Sequence, residues 1–318
     1  MGTQAKSKIP TIELSEEKLK VGSEEWVLIG KEIRVALEEF GCFLVVYEKV
    51  SLELHNSIFE ATKELFHLPI ETRIQNTSEK PYHGYFGRYS FLPLYESMAV
   101  DNPTSLQAIQ TFTNLMWPAG NKTFCETVHD FSTLVAKLEE TVTRMVLESY
   151  GVSKQVCESS IESTTHLLRC FKYRVPKQDE TDLGLHSHTD LTFLSILHQH
   201  LIGGLQVKSL DNNNDGEWID IDPVGRSSFI VMAGDALMAW SNDRIRGCRH
   251  RVMMRGDETR YSLGLFSFKS GTISVPEELV EDNHPLKYKP FDHFEFLRYD
   301  KANASHKTCS RIKDYCGI

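Results

Sequence analysis

The stretch GLHSHTDLTFLSIL, residues 184–197, places two histidines and an aspartate ahead of an apolar, β-prone run. On an extended chain, side chains two residues apart share a face, so His188 and Asp190 converge on one point. A carboxylate oxygen beside an imidazole nitrogen suits divalent iron, zinc or manganese better than calcium or magnesium. Taken alone, the spacing favours a plainer reading, a hydrogen-bonded pair at the mouth of a strand. His186 shares the face and is read as a supporting or surface residue.

The residues around this stretch share a texture. From His166 to Phe268 the chain runs through LLRCFKYRV, LTFLSILHQ, GGLQVKS, EWIDIDP, FIVMAGDALMAWS, RHRVMM and RYSLGLFSF, short β-prone segments separated by turns. Closely spaced strands without intervening helices predict an antiparallel sandwich or barrel. Before this region, EEWVLIGKEIRVALEEF predicts an amphipathic helix stopped by Gly41, SLELHNSIFEATKELFHLP a second helix ending before Pro69, and residues 124–150 a long third one. IPTIEL reads as a short strand, and EKPYHGYFGRYSFLPLYESM as an aromatic-rich loop. The tail PEELVEDNHPLKYKPFDHFEFLRYDKA reads as helical again. The expected class is α+β: a double-stranded β-helix, or jelly-roll, core over 160–272, flanked by N-terminal, central and C-terminal helices. Residues 8–120 form the N-terminal part and 273–318 a C-terminal helical extension, and the whole of 1–318 is expected to be one catalytic unit.

His250 lies 62 residues beyond His188, with several strands between. A jelly roll sets such distant strands side by side, so His250 can complete a two-histidine, one-carboxylate set with His188 and Asp190. That set covers one face of an octahedral metal and leaves three positions open, enough for a chelating cosubstrate and dioxygen. Ten residues further on, Arg260 and Ser262 share a strand face. A guanidinium fork with an adjacent hydroxyl is a good receptor for a carboxylate. Singly, Arg260 reads as a surface charge; the combined pattern HxD, His, RxS is far more specific.

These landmarks resemble the plant iron(II) and 2-oxoglutarate-dependent dioxygenases, which share the isopenicillin N synthase-like fold. IPTIEL, EEFGCFLVV, FHLPIETR, YESM, NLMWPAGN, HTDLTFLSIL, IGGLQV, AGDALMAWSNDRIRGCRHRV and RYSLGLF carry the likeness over nearly the whole chain. The branch with glucosinolate-modifying, auxin-oxidising and steroidal-alkaloid-hydroxylating enzymes is the most similar. The resemblance implies Fe(II) on His188, Asp190 and His250, with the distal carboxylate of 2-oxoglutarate on Arg260 and Ser262 and Tyr173 also touching the cosubstrate. It implies oxidation of a substrate C–H bond by O2, as hydroxylation, demethylation, desaturation or ring formation, with succinate and CO2 as coproducts and ascorbate in a supporting role. Three places depart from the family. Phe171 and Met232 stand where asparagines are usual, and Tyr47, Glu48 and Lys49 replace a common Asn-His-Gly. Phe171, with Phe266 and Phe268 on the strand of Arg260, points to an apolar, aromatic pocket for a lipophilic plant metabolite.

Rival readings are a same-fold iron oxidase that does not use 2-oxoglutarate, a zinc hydrolase, and an inactive small-molecule-binding relative. Composition narrows the field. The chain has 318 residues, 41% hydrophobic and 25% charged, with a net charge of −9 and scattered basic residues, so no nucleic-acid footprint exists. Seven widely spaced cysteines without a CxxC predict free thiols in a reducing compartment. No apolar signal core, myristoylation pattern or membrane-length run is present, so a cytoplasmic monomer away from membranes is expected. The sequons at Asn76, Asn121 and Asn303 read as chance matches.

Overall fold

The computed structural model describes residues 9–15, 19–209, 216–223, 225, 227–305 and 310–318. Residues 1–8, expected to hold no signal core, and the seventh cysteine, Cys309, lie outside them. The chain opens with β1 (Thr11–Glu13) and α1 (Glu24–Phe40). Ser23 caps α1 by accepting from the Trp26 N–H, and Gly41 ends it at φ 71°. Glycine is required there twice over, since a Cβ would also meet Arg246 O at 2.8 Å. Then follow β2 (Cys42–Val46), α2 (Leu52–His67), α3 (Ile70–Arg73), β3 (Phe86–Gly87), β4 (Tyr95–Asp101), α4 (Leu106–Met116), α5 (Lys122–Ser149) and α6 (Lys154–Glu162).

The β region holds β5 (Thr164–Tyr173), β6 (Leu183–His188), β7 (Leu194–Gln199), β8 (Leu205–Lys208), β9 (Trp218–Ile221), β10 (Ser228–Ala233), α7 (Asp235–Trp240), β11 (His250–Met253) and β12 (Arg260–Lys269). A small ribbon of β13 (Thr272–Ile273) and β14 (Phe291–Asp292) leads to α8 (His293–Ala302) and α9 (Arg311–Cys316). One sheet has the order β1-β2-β10-β7-β12-β5-β4-β3 and the other β6-β11-β8-β9. From β5 to β12 the chain changes sheet at every step except β8 to β9. This winding makes the predicted double-stranded β-helix, and it sets β6 beside β11 with His188 opposite His250.

Period-2 alternation divides the large sheet between two cores. On β5, Leu168 and Cys170 face outward, and the outward core runs on through Phe131, Val135, Leu138 and Val142 of α5. Leu167, Phe171 and Tyr173 face inward with Leu205, Val207 and Val252 of the small sheet. Each fully buried side chain of this size contributes roughly 1.5–3 kcal/mol. The α5 wall fixes the large sheet, and the inward face is left to build a site.

Three expectations are corrected. GDALMAW was read as part of a β run, but Asp235–Trp240 is a helix, because the chain must turn at Gly234 against Thr192. YESM starts β4 rather than ending a loop. In the tail, helix forms only from His293 onward and again in α9, apart from a single 3-10 turn at Glu277–Leu279; Pro285 and Pro290 interrupt the rest. The six cysteines within the described residues are buried and free. Asn76 is buried, its side-chain amide bonded both ways to the Ala99 backbone at 3.0 Å, which leaves no room for a glycan.

Candidate active site

His188 ends β6, Asp190 lies in the turn after it, and His250 begins β11. The pair therefore converges through a strand end and a turn rather than along one strand. His188 Nε2 stands 3.5 Å and His250 Nε2 3.9 Å from Asp190 Oδ1. One ligand atom from each lies within 4.8 Å of the others, close enough for the three to share one ion.

The surrounding bonds leave the right atoms free. His188 Nδ1 bonds to His186 O at 2.8 Å and His250 Nδ1 to Cys248 O at 3.0 Å. With Nδ1–H donating to a carbonyl, the Nε2 lone pair of each ring points at the shared centre. Ser195 donates to Asp190 Oδ2 at 2.6 Å and leaves Oδ1 for the ion. Burial pushes Asp190 up, but His250, His188 and Ser195 outweigh it and hold the carboxyl below its usual range. Burial and the neighbouring His188 hold His250 down at about 4. Burial lowers His188, but the hydrogen bond and charge of Asp190 and the His186 carbonyl outweigh it and hold that ring above its ordinary value. A bound ion therefore displaces a proton there, whereas His250 and Asp190 already stand neutral and ionised; the donor set fits a divalent ion. His186 supports the centre through its carbonyl, while its ring reaches Phe91 O at 3.2 Å.

Arg260 is 2% exposed. Its guanidinium donates to Gly203 O at 3.1 Å, Ser262 Oγ at 2.9 Å and Gln199 Oε1 at 2.7 Å, and lies 5.0 Å from the Tyr173 ring centroid. Every one of those acceptors is neutral. A buried cation held by neutral groups retains a strong preference for an anion. Arg260 pairs with Tyr173 across the ladder, and Ser262 with both Phe171 and Gln199.

The triad, Arg260, Ser262 and Tyr173 line one cavity of about 1160 Å³, together with Phe171, Phe266 and Phe268. The Phe266 ring folds back over Gly264, where a Cβ would meet it at 2.6 Å, and stands 6.2 Å from Phe171. Phe268 also packs against His83 and His293, each at 5.2 Å, so it serves the core as well as the wall. Sequence reading missed Ser195, Gln199 and Arg169, which reach the site only through strand register. The available signal was that Ser195 and Gln199, four apart in LTFLSILHQ, and Arg169, two before Phe171 in LLRCFKYRV, put polar groups on one face of otherwise apolar strands.

Residues 164–269 match the 2OG-Fe(II) oxygenase superfamily, and residues 9–95 match the non-haem dioxygenase in morphine synthesis N-terminal region. A probable 2-oxoglutarate-dependent dioxygenase of Arabidopsis thaliana, AOP1.2, is 42% identical over 318 residues, 98% of this chain and 96% of that one. The crystal structure of the dioxygenase for auxin oxidation in rice superposes with a TM-score of 0.80 at 26% identity, covering 96% of this chain and 99% of that one. The Arabidopsis thaliana dioxygenase for auxin oxidation 1, in its 2-oxoglutarate complex, gives 0.77 at 28% identity, covering 87% and 100%. The chain belongs to the 2OG-Fe(II) oxygenase superfamily. It is a 2-oxoglutarate-dependent dioxygenase that uses Fe(II), with a jelly-roll core carrying helices.

Proposed function

We propose that the protein oxidises a C–H bond of a lipophilic plant specialised metabolite. In this reading His188, Asp190 and His250 hold Fe(II), and Arg260, Ser262 and Tyr173 hold the distal carboxylate of 2-oxoglutarate. Phe171, Phe266 and Phe268 wall the substrate. The bound iron supplies the activation of dioxygen that couples decarboxylation of 2-oxoglutarate to substrate oxidation. The chain's own residues bind and orient. Arg260 fixes one end of the cosubstrate with a planar fork, Ser195 and the two backbone carbonyls fix the metal ligands, and the aromatic wall excludes water.

The observation that carries this reading is the buried Arg260 guanidinium, held by neutral acceptors in the same cavity as the triad. Residues 1–318 are proposed to act as one unit, a monomer in the cytoplasm, with a core at 160–272 between the 8–120 and 273–318 regions. Among the described residues no helix is long and apolar enough to cross a membrane. The test incubates the protein with Fe(II), ascorbate, 2-oxoglutarate and a plant metabolite extract. Loss of one lipophilic mass feature with equimolar succinate is expected. Failure of every fraction to drive succinate formation would remove the reading.

A further inference from the structure

The charge of the cavity is at odds with a purely lipophilic substrate. Six lysines and arginines line it against three aspartates, in a chain whose net charge is −9. Of the three, Asp190 belongs to the triad and Asp300 pairs with Arg311 at 3.1 Å. Two buried guanidiniums have no carboxylate partner among the described residues: Arg260, 2% exposed, and Arg169, 8% exposed. The cosubstrate accounts for the first only.

Arg169 sits on the inward face of β5, two residues before Phe171, and lines the same cavity. It donates to Ser97 Oγ at 2.7 Å, Gly84 O at 3.3 Å and Tyr82 O, and Tyr95 lines the same cavity. These neutral acceptors take both Nη1 hydrogens and one on Nη2; they leave its charge uncompensated and, among the described residues, its Nε–H and second Nη2–H for a ligand. Its partner across the ladder is Gly264, the residue over which the Phe266 ring folds. Phe171 follows it by two residues on the same strand face, and Phe266, which covers its ladder partner Gly264, lines the same cavity.

Resting on the reading of this cavity as the substrate site, we propose that the substrate is an amphipathic oxyanion. Its apolar body lies against Phe171 and Phe266, and its carboxylate or sulfate group binds Arg169 and the Tyr95 hydroxyl. A planar guanidinium recognises either oxyanion through paired, charge-assisted hydrogen bonds. A neutral compound of the same shape leaves a buried cation unpaired and binds more weakly.

The experiment uses the full chain loaded with Mn(II) and 2-oxoglutarate under anaerobic conditions, so that binding is read without turnover. Calorimetry compares 1-naphthylacetate, 4-phenylbutyrate and 1-naphthyl sulfate with the neutral 1-naphthylacetamide and 4-phenylbutyramide. At least one anion is expected to bind tenfold or more tightly than its amide, and the better of the carboxylate and sulfate arms names the oxyanion. Arg169→Gln should reduce that preference to within twofold, Arg169→Lys should keep part of it, and both should bind 2-oxoglutarate within twofold of the parent. Partial rescue by lysine separates charge recognition from the hold Arg169 has on Tyr82 and Gly84. Equal binding of acid and amide, no binding of any anion to protein that binds 2-oxoglutarate, or an acid preference that survives Arg169→Gln would overturn the proposal. Failure to bind 2-oxoglutarate at all would instead remove the reading of the cavity on which it rests.

Discussion

His188 and His250 present Nε2 because each Nδ1 is held by a backbone carbonyl, and Asp190 presents Oδ1 because Ser195 holds Oδ2. The proposed ligand set was legible only as a combined pattern, since HxD alone favours a hydrogen-bonded pair and His250 with RxS makes it specific. Ser195 was not, because its distance from Asp190 depends on how the turn after β6 folds back onto β7. Supporting hydrogen bonds to metal ligands are typically worth 10- to 100-fold in affinity. Ser195→Ala should therefore weaken Mn(II) binding by about that factor with little change in melting temperature. An affinity within twofold of the parent would show that Ser195 does not position Asp190. At the other end of the cavity, Arg260→Lys keeps the charge and loses the fork. The apparent KM for 2-oxoglutarate should rise by about tenfold or more, on the order of 1.4 kcal/mol, while that for the substrate moves little. A change confined to the substrate's KM would place Arg260 elsewhere in the reaction.

At the scale of elements, β7 shows what periodicity reveals and what it hides. LTFLSILHQ read as a strand with polar residues in it, and the pattern alone could not say which neighbour each one meets. Gln199 turns inward to Arg260, whereas His198 turns outward under α2. His198 is 1% exposed, stacked on Phe229 at 4.3 Å, with Nε2 at 2.9 Å from His55 Nδ1 and Nδ1 at 3.0 Å from Ser228 O. Burial holds its pKa down at about 3; the Ser228 carbonyl opposes this, and the neighbouring His55 and His200 add to it. An unfolded chain takes up this proton near the ordinary 6.5, so in the window from about 6.5 down to 3 the unfolded state binds more protons. Stability must fall as pH falls through that window, by about 2 kcal/mol at pH 5 from this one group. His198→Gln keeps hydrogen-bonding ends but no titration. Urea unfolding at pH 7 and pH 5 should show the loss on acidification smaller by about 2 kcal/mol in the variant. Equal losses in the two proteins would show that His198 is not the group being protonated, or that His55 and His200 take its place.

Across the whole molecule, the cavity is built by the two sheets but closed by segments from opposite ends of the chain. Its mouth carries Tyr82 and Tyr89, from the stretch between α3 and β4, and Asp300, Lys301 and Arg311, from α8 and α9. This closure was the least legible part of the fold. The aromatic-rich loop was visible as a loop, and the C-terminal helices only roughly, but nothing in either stretch announces the other. What joins them is specific: Tyr82 donates its hydroxyl to Asp300 Oδ2, and Arg311 holds Asp300 Oδ1 at 3.1 Å, with the Asp300 and Arg311 side chains each 16% exposed. Arg169 fastens the same loop from below through Tyr82 O and Gly84 O. The loop is also held by Lys80 on Asp101 at 2.7 Å, the Tyr85 hydroxyl on Glu96 at 2.8 Å, His186 on Phe91 O at 3.2 Å and the β3–β4 pairing, yet as a surface segment it opens locally at a free energy below that of global unfolding. Removing one tie should lower it further without disturbing the sheets. Asp300→Ala deletes both bonds at the upper tie, so amide exchange over residues 79–92 should accelerate by about tenfold, corresponding to roughly 1.4 kcal/mol of local stability. Protection in β7 and β12 should stay at the parent's level, because those strands pair with each other and pack on α5 rather than on the loop. Hydrogen-exchange mass spectrometry reads both regions in one experiment. Unchanged exchange over 79–92 would mean that the loop is held by its other ties, to Arg169, Asp101, Glu96 and β4, and acceleration throughout the sheets would mean that Asp300 supports the fold rather than the mouth.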